Sequence, residues 1–260
     1  MTDFVKLERD TAPGVATIRF DRPKVNAVND EMLVAIADIC GTLANDTDVR
    51  AVVLTGGERN FAAGADITAF PDFSRDEALA FSRNFNRAAL ALENLPQITI
   101  SAINGYALGG GLEMALATDF RIAASDARLG MPEILLGIIP GGGGTQRLSR
   151  LAGITLAKDL VYSGRHMPAD EALAARIISS IHTPDEVQSA AIELAGRYAA
   201  GPASLRIAKR VLLDGLHLPL GEAVELEAQG FADTFATEDK VAGVASFLEH
   251  GPGKATFTGR

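Results

Sequence analysis

Cysteine is almost absent from this 260-residue chain, which contains Cys40 and no other. A single cysteine cannot form an intramolecular disulfide, and this excludes the disulfide framework of a small secreted protein. The apolar neighbours of Cys40, among them Ile36, Ile39 and Leu43, follow helical spacing. They predict that the thiol packs in a helix core and is not a nucleophile.

Positive charge is also scarce, with 24 Lys and Arg residues against 33 Asp and Glu residues and a net charge of −9. Binding to nucleic acids or anionic membranes needs clustered Lys and Arg, so the composition argues against both partners. Residues Met1–Lys6 lack a basic segment followed by an apolar one, and no apolar run approaches the roughly 20 residues of a membrane span. We therefore expect a cytoplasmic protein.

Several sequence motifs are missing as well. Neither G-x-x-x-x-G-K-[ST] nor G-x-G-x-x-G occurs, which argues against a nucleotide phosphate loop. The absence of G-x-S-x-G argues against the nucleophile elbow of a serine hydrolase. Four histidines lack the spacing of metal ligands; they are His166, His182, His217 and His250. We expect neither a metal site nor a separate cofactor.

The hydrophobic pattern and the turn residues predict an α/β fold built from alternating strands and helices. Apolar runs predict strands at residues 4–9, 15–20, 51–55, 98–103 and 120–124. Spacing and capping residues predict helices at 29–44, 74 to about 95, 111–117, and from 183, 202, 220 and 237–249. We expect a turn at 105–111, a loose tail after Gly251, a core domain at 1–200 and a helical region at 201–260.

Two glutamates lie in segments that are otherwise suited to burial. Glu113 is in Gly109–Ala117 and Glu133 is in Met131–Pro140, and each segment contains or adjoins a glycine-rich turn. Carboxylates are rarely buried unless they are paired or used in chemistry. Each glutamate alone is also compatible with an ordinary role, at a helix N-terminus or in solvent. Together, and with the glycines, they indicate acid–base chemistry in an apolar pocket.

The glycine-rich turns at 105–111 and 141–144 offer unobstructed backbone N–H groups. The first N–H groups of a helix have no internal partner and lie at its positive end, where a ligand carbonyl can be stabilised as an oxyanion. Gly110, at the start of the helix that carries Glu113, is placed for this role, and the loop around Ala65 is a candidate for the second N–H. The alternative is that these glycines only allow helix and strand to pack closely.

Several segments resemble the enoyl-CoA hydratases of the crotonase superfamily, nearly from end to end of the chain. The matching segments are residues 61–66, 103–113, 132–141, 143–148 and 235–239. The resemblance implies a ClpP/crotonase-type spiral of ββα units with a C-terminal helical trimerisation region. It also implies an acyl-CoA thioester substrate, no cofactor beyond the CoA that is part of that substrate, and a homotrimer or homohexamer.

The same resemblance implies a role for individual residues. Ala65 and Gly110 would donate their N–H groups to the thioester oxygen, Glu133 would protonate C2, and Glu113 would hold and activate water. Phe231 falls where the family stacks an aromatic ring near the CoA adenine, and His250 falls where many members have a lysine that contacts the CoA phosphate. The remaining implied CoA and substrate contacts are Arg22, Lys24, Ala27, Ala63, Gly64, Asp66 and Ile67.

Two other functions stay open from the sequence. A Δ3,Δ2-enoyl-CoA isomerase moves a proton and needs one carboxylate, so the presence of both Glu113 and Glu133 favours a hydratase. A non-catalytic relative, including an RNA-binding one, is disfavoured by the net charge of −9. Because one fold can carry several functions, this ranking depends on the glutamate pair.

Overall fold

A computed structural model describes residues 2–260 as two β-sheets covered by helices. The larger sheet has the strand order β1-β2-β3-β4-β6-β9, and the smaller has the order β5-β7-β8. The strands are β1 Val5–Ala12, β2 Val15–Phe20, β3 Ala51–Thr55, β4 Ile98–Ile103, β5 Tyr106–Leu108, β6 Phe120–Ala124, β7 Arg128–Gly130, β8 His166–Pro168 and β9 Ser180–His182. The α/β class predicted from the sequence is confirmed.

The helices alternate with the strands at first and then follow one another. They are α1 Asp30–Ala44, α2 Arg75–Glu93, α3 Gly110–Leu116, α4 Gly144–Ala152, α5 Ile154–Ser163, α6 Ala169–Ala174, α7 Val187–Ala199, α8 Ser204–Gly215, α9 Leu220–Thr234 and α10 Glu238–His250. Two 3₁₀ helices cover Ile67–Asp72 and Pro132–Leu136. Of the helices in residues 2–260, none has the length and apolarity needed to cross a membrane.

The ββα arrangement arises because a strand of the larger sheet continues directly into a strand of the smaller one. β4 leads into β5 and then α3, and β6 leads into β7 and then a 3₁₀ helix. The prediction of a plain turn over residues 105–111 was therefore wrong. β5 pairs with β7 in parallel, and a further bridge joins Ala107 to Ala62. These pairings bring the loop after β3 beside the start of α3.

Capping residues predict the start of a helix correctly where the helix begins at the residue directly after the cap. The Asn29 side chain accepts the Met32 N–H, and Ser74 and Glu77 form a reciprocal capping box. At the second predicted box the Thr183 hydroxyl donates to Glu186, but α7 begins only at Val187. Cys40 packs in the core as predicted, and burial raises the pKa of its thiol to about 12.

The predicted C-terminal helices are present as α8, α9 and α10. Lys209 on α8 is buried, and its ammonium donates to the Gln97 carbonyl and to Asp119 of the core at 2.9 and 2.8 Å. The prediction of a loose tail was wrong for its end, at residues 258 and 259, and stays a prediction for residues 252–255. The buried Asp239 carboxylate accepts the N–H groups of Thr258 and Gly259 at 2.7 and 2.8 Å, which holds the last residues against the helices.

Candidate active site

Glu113 is fixed by two backbone donors that come from the second glycine-rich turn. Its side chain, on the first turn of α3, is 2% exposed. Its Oε1 accepts the N–H groups of Gly142 and Gly144, each at 2.7 Å. Gly143 between them has φ +99°, a left-handed conformation that glycine adopts without strain. The glycine run therefore forms a hydrogen-bonded seat for one carboxylate oxygen.

That seat is attached to α2 by contacts that no sequence pattern indicates. The Gly141 carbonyl accepts from the Ser82 hydroxyl at 2.7 Å and from Asn86 Nδ2 at 2.8 Å. Because the two donors are four residues apart, they lie on the same face of α2 and both donate to the same carbonyl.

Arg147 adds a third attachment. Its guanidinium forms two hydrogen bonds with the Glu93 carboxylate, at 2.7 and 3.1 Å, and donates to the Gly142 carbonyl at 3.1 Å. A paired Arg–carboxylate fork of this kind fixes orientation as well as position. We call Ser82, Asn86, Glu93 and Arg147 the loop clamp.

Glu133 has the opposite environment. It is the second residue of the 3₁₀ helix that Pro132 opens after β7. Its Oε2 is buried and has no hydrogen-bond partner in the described chain. A Cβ atom built on Gly109 would lie 2.8 Å from Glu133 Oε1, so the glycine leaves the space that this carboxylate fills. The carboxyl of Glu133 thus faces the turn that leads into α3.

The two carboxyls have raised pKa values for related reasons. Burial is the main cause of a rise in the pKa of Glu133 to about 7, and the nearby Glu113 charge adds to it. Burial also raises the pKa of Glu113, while the Gly144 and Gly142 N–H groups and the charge of Arg147 oppose the rise. Two N–H donors therefore stabilise the anion of Glu113. Among the described residues, no other residue donates a hydrogen bond to the Glu133 carboxyl, so its neutral acid form is favoured.

The N–H groups of Ala65 and Gly110 lie beside each other. A Cβ atom built on Gly110 would be 3.3 Å from Ala65 N. The loop 63–66 is fixed by pairing with 25–28: Val28 N donates to the Gly64 carbonyl and Asp66 N to the Val28 carbonyl, at 2.9 and 2.7 Å. Within residues 2–260, no hydrogen bond from either Ala65 N–H or Gly110 N–H is found. The pair can therefore donate hydrogen bonds to a ligand oxygen.

Phe85 borders both the glycine seat and the N–H pair. The same Cβ atom on Gly110 would lie 2.9 Å from its ring, and one on Gly142 would overlap the ring. Phe81 packs edge-on against Phe85 at 6.3 Å between centroids, and Phe70 and Phe73 extend the cluster. The Phe85 ring therefore lies next to the Glu113 carboxylate and contributes to its poor solvation.

The predicted CoA-contacting loop is braced internally. Arg22 donates to the Ala27 carbonyl at 2.9 Å and to Asp66 at 2.6 Å, so these three predicted contacts lie together. Thr68 is the main cause of a lowered pKa at Asp66, and Arg22 adds to it. Asn26, which sequence reasoning missed, has φ 54° and donates to the carbonyls of Gly56, Asn60 and Phe61. It holds the loop to the end of β3.

The other predicted contacts are spread more widely. Ala63, Gly64 and Ile67 lie in or just after the loop that supplies Ala65, and Lys24 is exposed on the opposing loop. Phe231 is 66% exposed on α9 and packs on Phe235, away from the two carboxylates within this chain. His250 ends α10 beside Glu249. Among the described residues, no group of three or more His, Cys, Asp or Glu is arranged to hold a metal ion.

Comparisons with known proteins agree on one family. A family model described as enoyl-CoA hydratase/isomerase matches residues 10–260. The short-chain-enoyl-CoA hydratase of Clostridium acetobutylicum is 39% identical over 238 residues, covering 90% of this chain and 91% of that protein. The crotonyl-CoA hydratase of Syntrophomonas wolfei is 38% identical over the same length, covering 90% and 92%. The crystal structure of an enoyl-CoA hydratase from Bacillus anthracis superposes with a TM-score of 0.93 at 33% identity, covering 99% of this chain and 100% of that one.

Proposed function

The chain belongs to the enoyl-CoA hydratase/isomerase family and is an enoyl-CoA hydratase, and we propose that Glu113 and Glu133 together add water to a trans-2-enoyl-CoA thioester. One observation carries this assignment of residues. Two carboxyls in unlike environments, one buried and one half-buried, lie next to a pair of N–H groups that are free to bind an oxygen. The product would be the 3-hydroxyacyl-CoA.

The N–H pair of Ala65 and Gly110 would polarise the thioester. Attack of water at C3 moves negative charge onto the thioester oxygen, and donors already in place stabilise that charge as it develops. Each such donor is worth about 3 kcal/mol in other enzymes. Gly110 also belongs to the first turn of α3, where the helix dipole favours an anion.

The two glutamates would divide the proton transfers. Glu113, stabilised as an anion by Gly142 and Gly144, would hold water and accept its proton. Glu133, with a pKa of about 7, would carry the proton that is delivered to C2. This chemistry needs only groups that the chain supplies, and the expectation that no cofactor takes part stays a prediction.

Isomerisation between Δ3 and Δ2 enoyl-CoA is the alternative within the family. A proton shuttle requires one carboxylate, and Glu133 alone would suffice for it. The observation that favours hydration is the glycine seat. It places a second carboxylate beside the first and leaves Glu113 Oε2, for which no donor is found among residues 2–260, available to water.

We propose that the acyl group is short. The two relatives named above are a short-chain-enoyl-CoA hydratase and a crotonyl-CoA hydratase. In this chain, Phe85 and Phe81 fill space next to the N–H pair, which supports a pocket for few carbons. The cytoplasmic location expected from the sequence stays a prediction.

We also propose a homo-oligomer with threefold symmetry. The helices α8–α10 leave large apolar side chains exposed in the single chain, including Leu212, Leu220, Phe231 and Leu248 at 66–80% exposure. Ile139 and Leu135 add exposed apolar area after Glu133, at 68% and 69%. Contiguous apolar surface of this kind usually marks a partner surface. A trimer or a pair of trimers would cover it.

The test is a substrate series with two outcomes for each thioester. Hydration of crotonyl-CoA and of longer trans-2-enoyl-CoA esters is measured as loss of the absorbance of the conjugated enoyl thioester. Isomerisation of a trans-3-enoyl-CoA is measured as gain of that absorbance. We expect hydration to be fastest with crotonyl-CoA and isomerisation to be far slower. Isomerisation without hydration would contradict the proposed reaction. Faster hydration of long chains would contradict only the proposed acyl length.

A further inference from the structure

A second cleft, of about 650 Å³, lies away from the two carboxyls. It is formed by the β1–β2 turn, the segment before β3, α8 and the C-terminal tail. Its lining includes Asp48, Arg50, Arg206, Gly259 and Arg260. Arg50 comes just before β3, whereas the loop with Ala65 follows it. The cleft is therefore at the opposite end of β3 from the candidate active site.

Two guanidinium groups converge on the tail in this cleft. Arg206 Nη2 donates to the Gly259 carbonyl at 2.5 Å. A Cβ atom built on Gly259 would lie 3.0 Å from Arg50 Nη1, so a side chain there would displace the guanidinium. Arg50 Nη1 is buried and has no hydrogen-bond partner in the described chain. A buried donor without a partner is costly.

Cationic side chains outnumber anionic ones in the lining of the cleft. Among the side chains that the structure describes, Arg50, Arg206 and Arg260 form no ion pair. Asp48 contributes the only side-chain carboxylate of the lining. The nearby Asp239 carboxylate is already occupied by the N–H groups of Ala203, Thr258 and Gly259. Counting Asp239, three cationic side chains face two carboxylates in and beside the cleft, in a chain whose net charge is −9.

We propose that this cleft binds the phosphate group of a small molecule through Arg50, Arg206 and Arg260. The planar guanidinium presents paired donors that match phosphate oxygens. The volume lies within the range of small-molecule sites and exceeds what free phosphate fills, so the natural ligand is a phosphate ester.

Binding would also tighten the tail. Gly259 contacts both Arg206 and the buried Asp239, so an anion that orients the two arginines strengthens the attachment of residues 258–260. This predicts that phosphate raises the thermal midpoint of unfolding by mass action. The effect does not depend on the proposed hydratase residues.

Calorimetric titration with inorganic phosphate, in a phosphate-free buffer, tests the site. We expect the unmodified protein to bind, and Arg50→Gln and Arg260→Gln to weaken binding about tenfold or more, the loss expected for charge-assisted bonds. Arg260 is exposed, so its variant should fold even if the Arg50 variant does not. Arg150→Gln, on the exposed surface of α4, is the matched control and should bind normally.

Two further measurements distinguish phosphate binding in this cleft from binding at the CoA loop and from general anion binding. Arg22→Gln alters the loop proposed to contact CoA and should leave phosphate binding unchanged. Loss of phosphate binding in Arg22→Gln, with normal binding in Arg50→Gln and Arg260→Gln, would place phosphate at the CoA site and overturn the proposal. Absence of binding to the unmodified protein would overturn it too. Equal affinity for malonate would show a general anion site and overturn the assignment to phosphate.

Discussion

Replacing Glu133 by glutamine should remove activity and, at alkaline pH, make the protein more stable. The side chain has a buried Oε2 without a partner and a pKa of about 7. An unfolded glutamate titrates near 4.5. Between these values the folded state holds a proton that the unfolded state has lost, so folding stability decreases as pH rises. Below about pH 4.5 both states are protonated, and the penalty is absent.

The magnitude follows from the two pKa values. One pKa unit corresponds to about 1.4 kcal/mol, so the wild-type protein should lose about 2.5 kcal/mol between about pH 5 and pH 8 through this group. Partial access of water to the carboxyl makes this an upper estimate. Glutamine does not titrate. The stability of Glu133→Gln relative to wild type should therefore increase by up to that amount over the same interval.

Urea unfolding at both pH values and at fixed protein concentration measures the difference. Glu193→Gln, at an exposed position of α7, is the control and should follow the wild type. We expect kcat for crotonyl-CoA hydration to fall by roughly 10²–10⁴ in Glu133→Gln, the range for a lost general acid. A parallel pH dependence of stability in mutant and wild type would refute the raised pKa. Near-normal hydration would refute the role in proton transfer.

Further expectations concern the rest of the site. Glu113→Gln should lower kcat by roughly 10²–10⁴ with the fold intact, and a smaller loss in a saturating crotonyl-CoA assay would count against it. Gly110→Pro removes an N–H and should abolish the red shift of a bound cinnamoyl-type CoA; Gly110→Ala should weaken that shift because its Cβ would lie 3.3 Å from Ala65 N. Asn86→Leu should loosen the glycine seat and raise the pKa of Glu113, moving the acid limb of kcat/KM up by at most about one pH unit. If the acid limb of kcat/KM did not move, Asn86 would not influence the pKa of Glu113 through the loop clamp. Light scattering should give the mass of three or six chains, and an active monomer would contradict the proposed assembly.

What the sequence predicted well was determined by neighbouring residues. The N-caps at Asn29 and Ser74 and the strand at 51–55 depend on contacts within a few residues, and each was predicted at the observed position. The glutamate pair could be proposed because a carboxylate in an apolar segment is an anomaly that can be seen in the sequence itself, and its catalytic role stays a prediction.

What the sequence missed depends on contacts between distant segments. β5 has three residues and exists because β7 and Ala62 pair with it, so no periodicity could reveal it. Ser82 and Asn86 look like ordinary polar residues of an amphipathic helix until the Gly141 carbonyl is placed against them. The end of the tail looked loose because its anchor, Asp239, lies 19 residues earlier in the chain.

The unequal supply of backbone donors explains how two similar side chains can hold opposite protonation states within one pocket. Burial raises the pKa of both carboxyls, and their mutual repulsion disfavours the doubly ionised state. The second glycine-rich turn directs two N–H groups at Glu113, while the turn before α3 directs none at Glu133. When one of the pair must remain neutral, Glu133 is therefore the one that keeps the proton. The division of roles would then depend on where two glycine turns point their N–H groups, and less on the glutamates themselves.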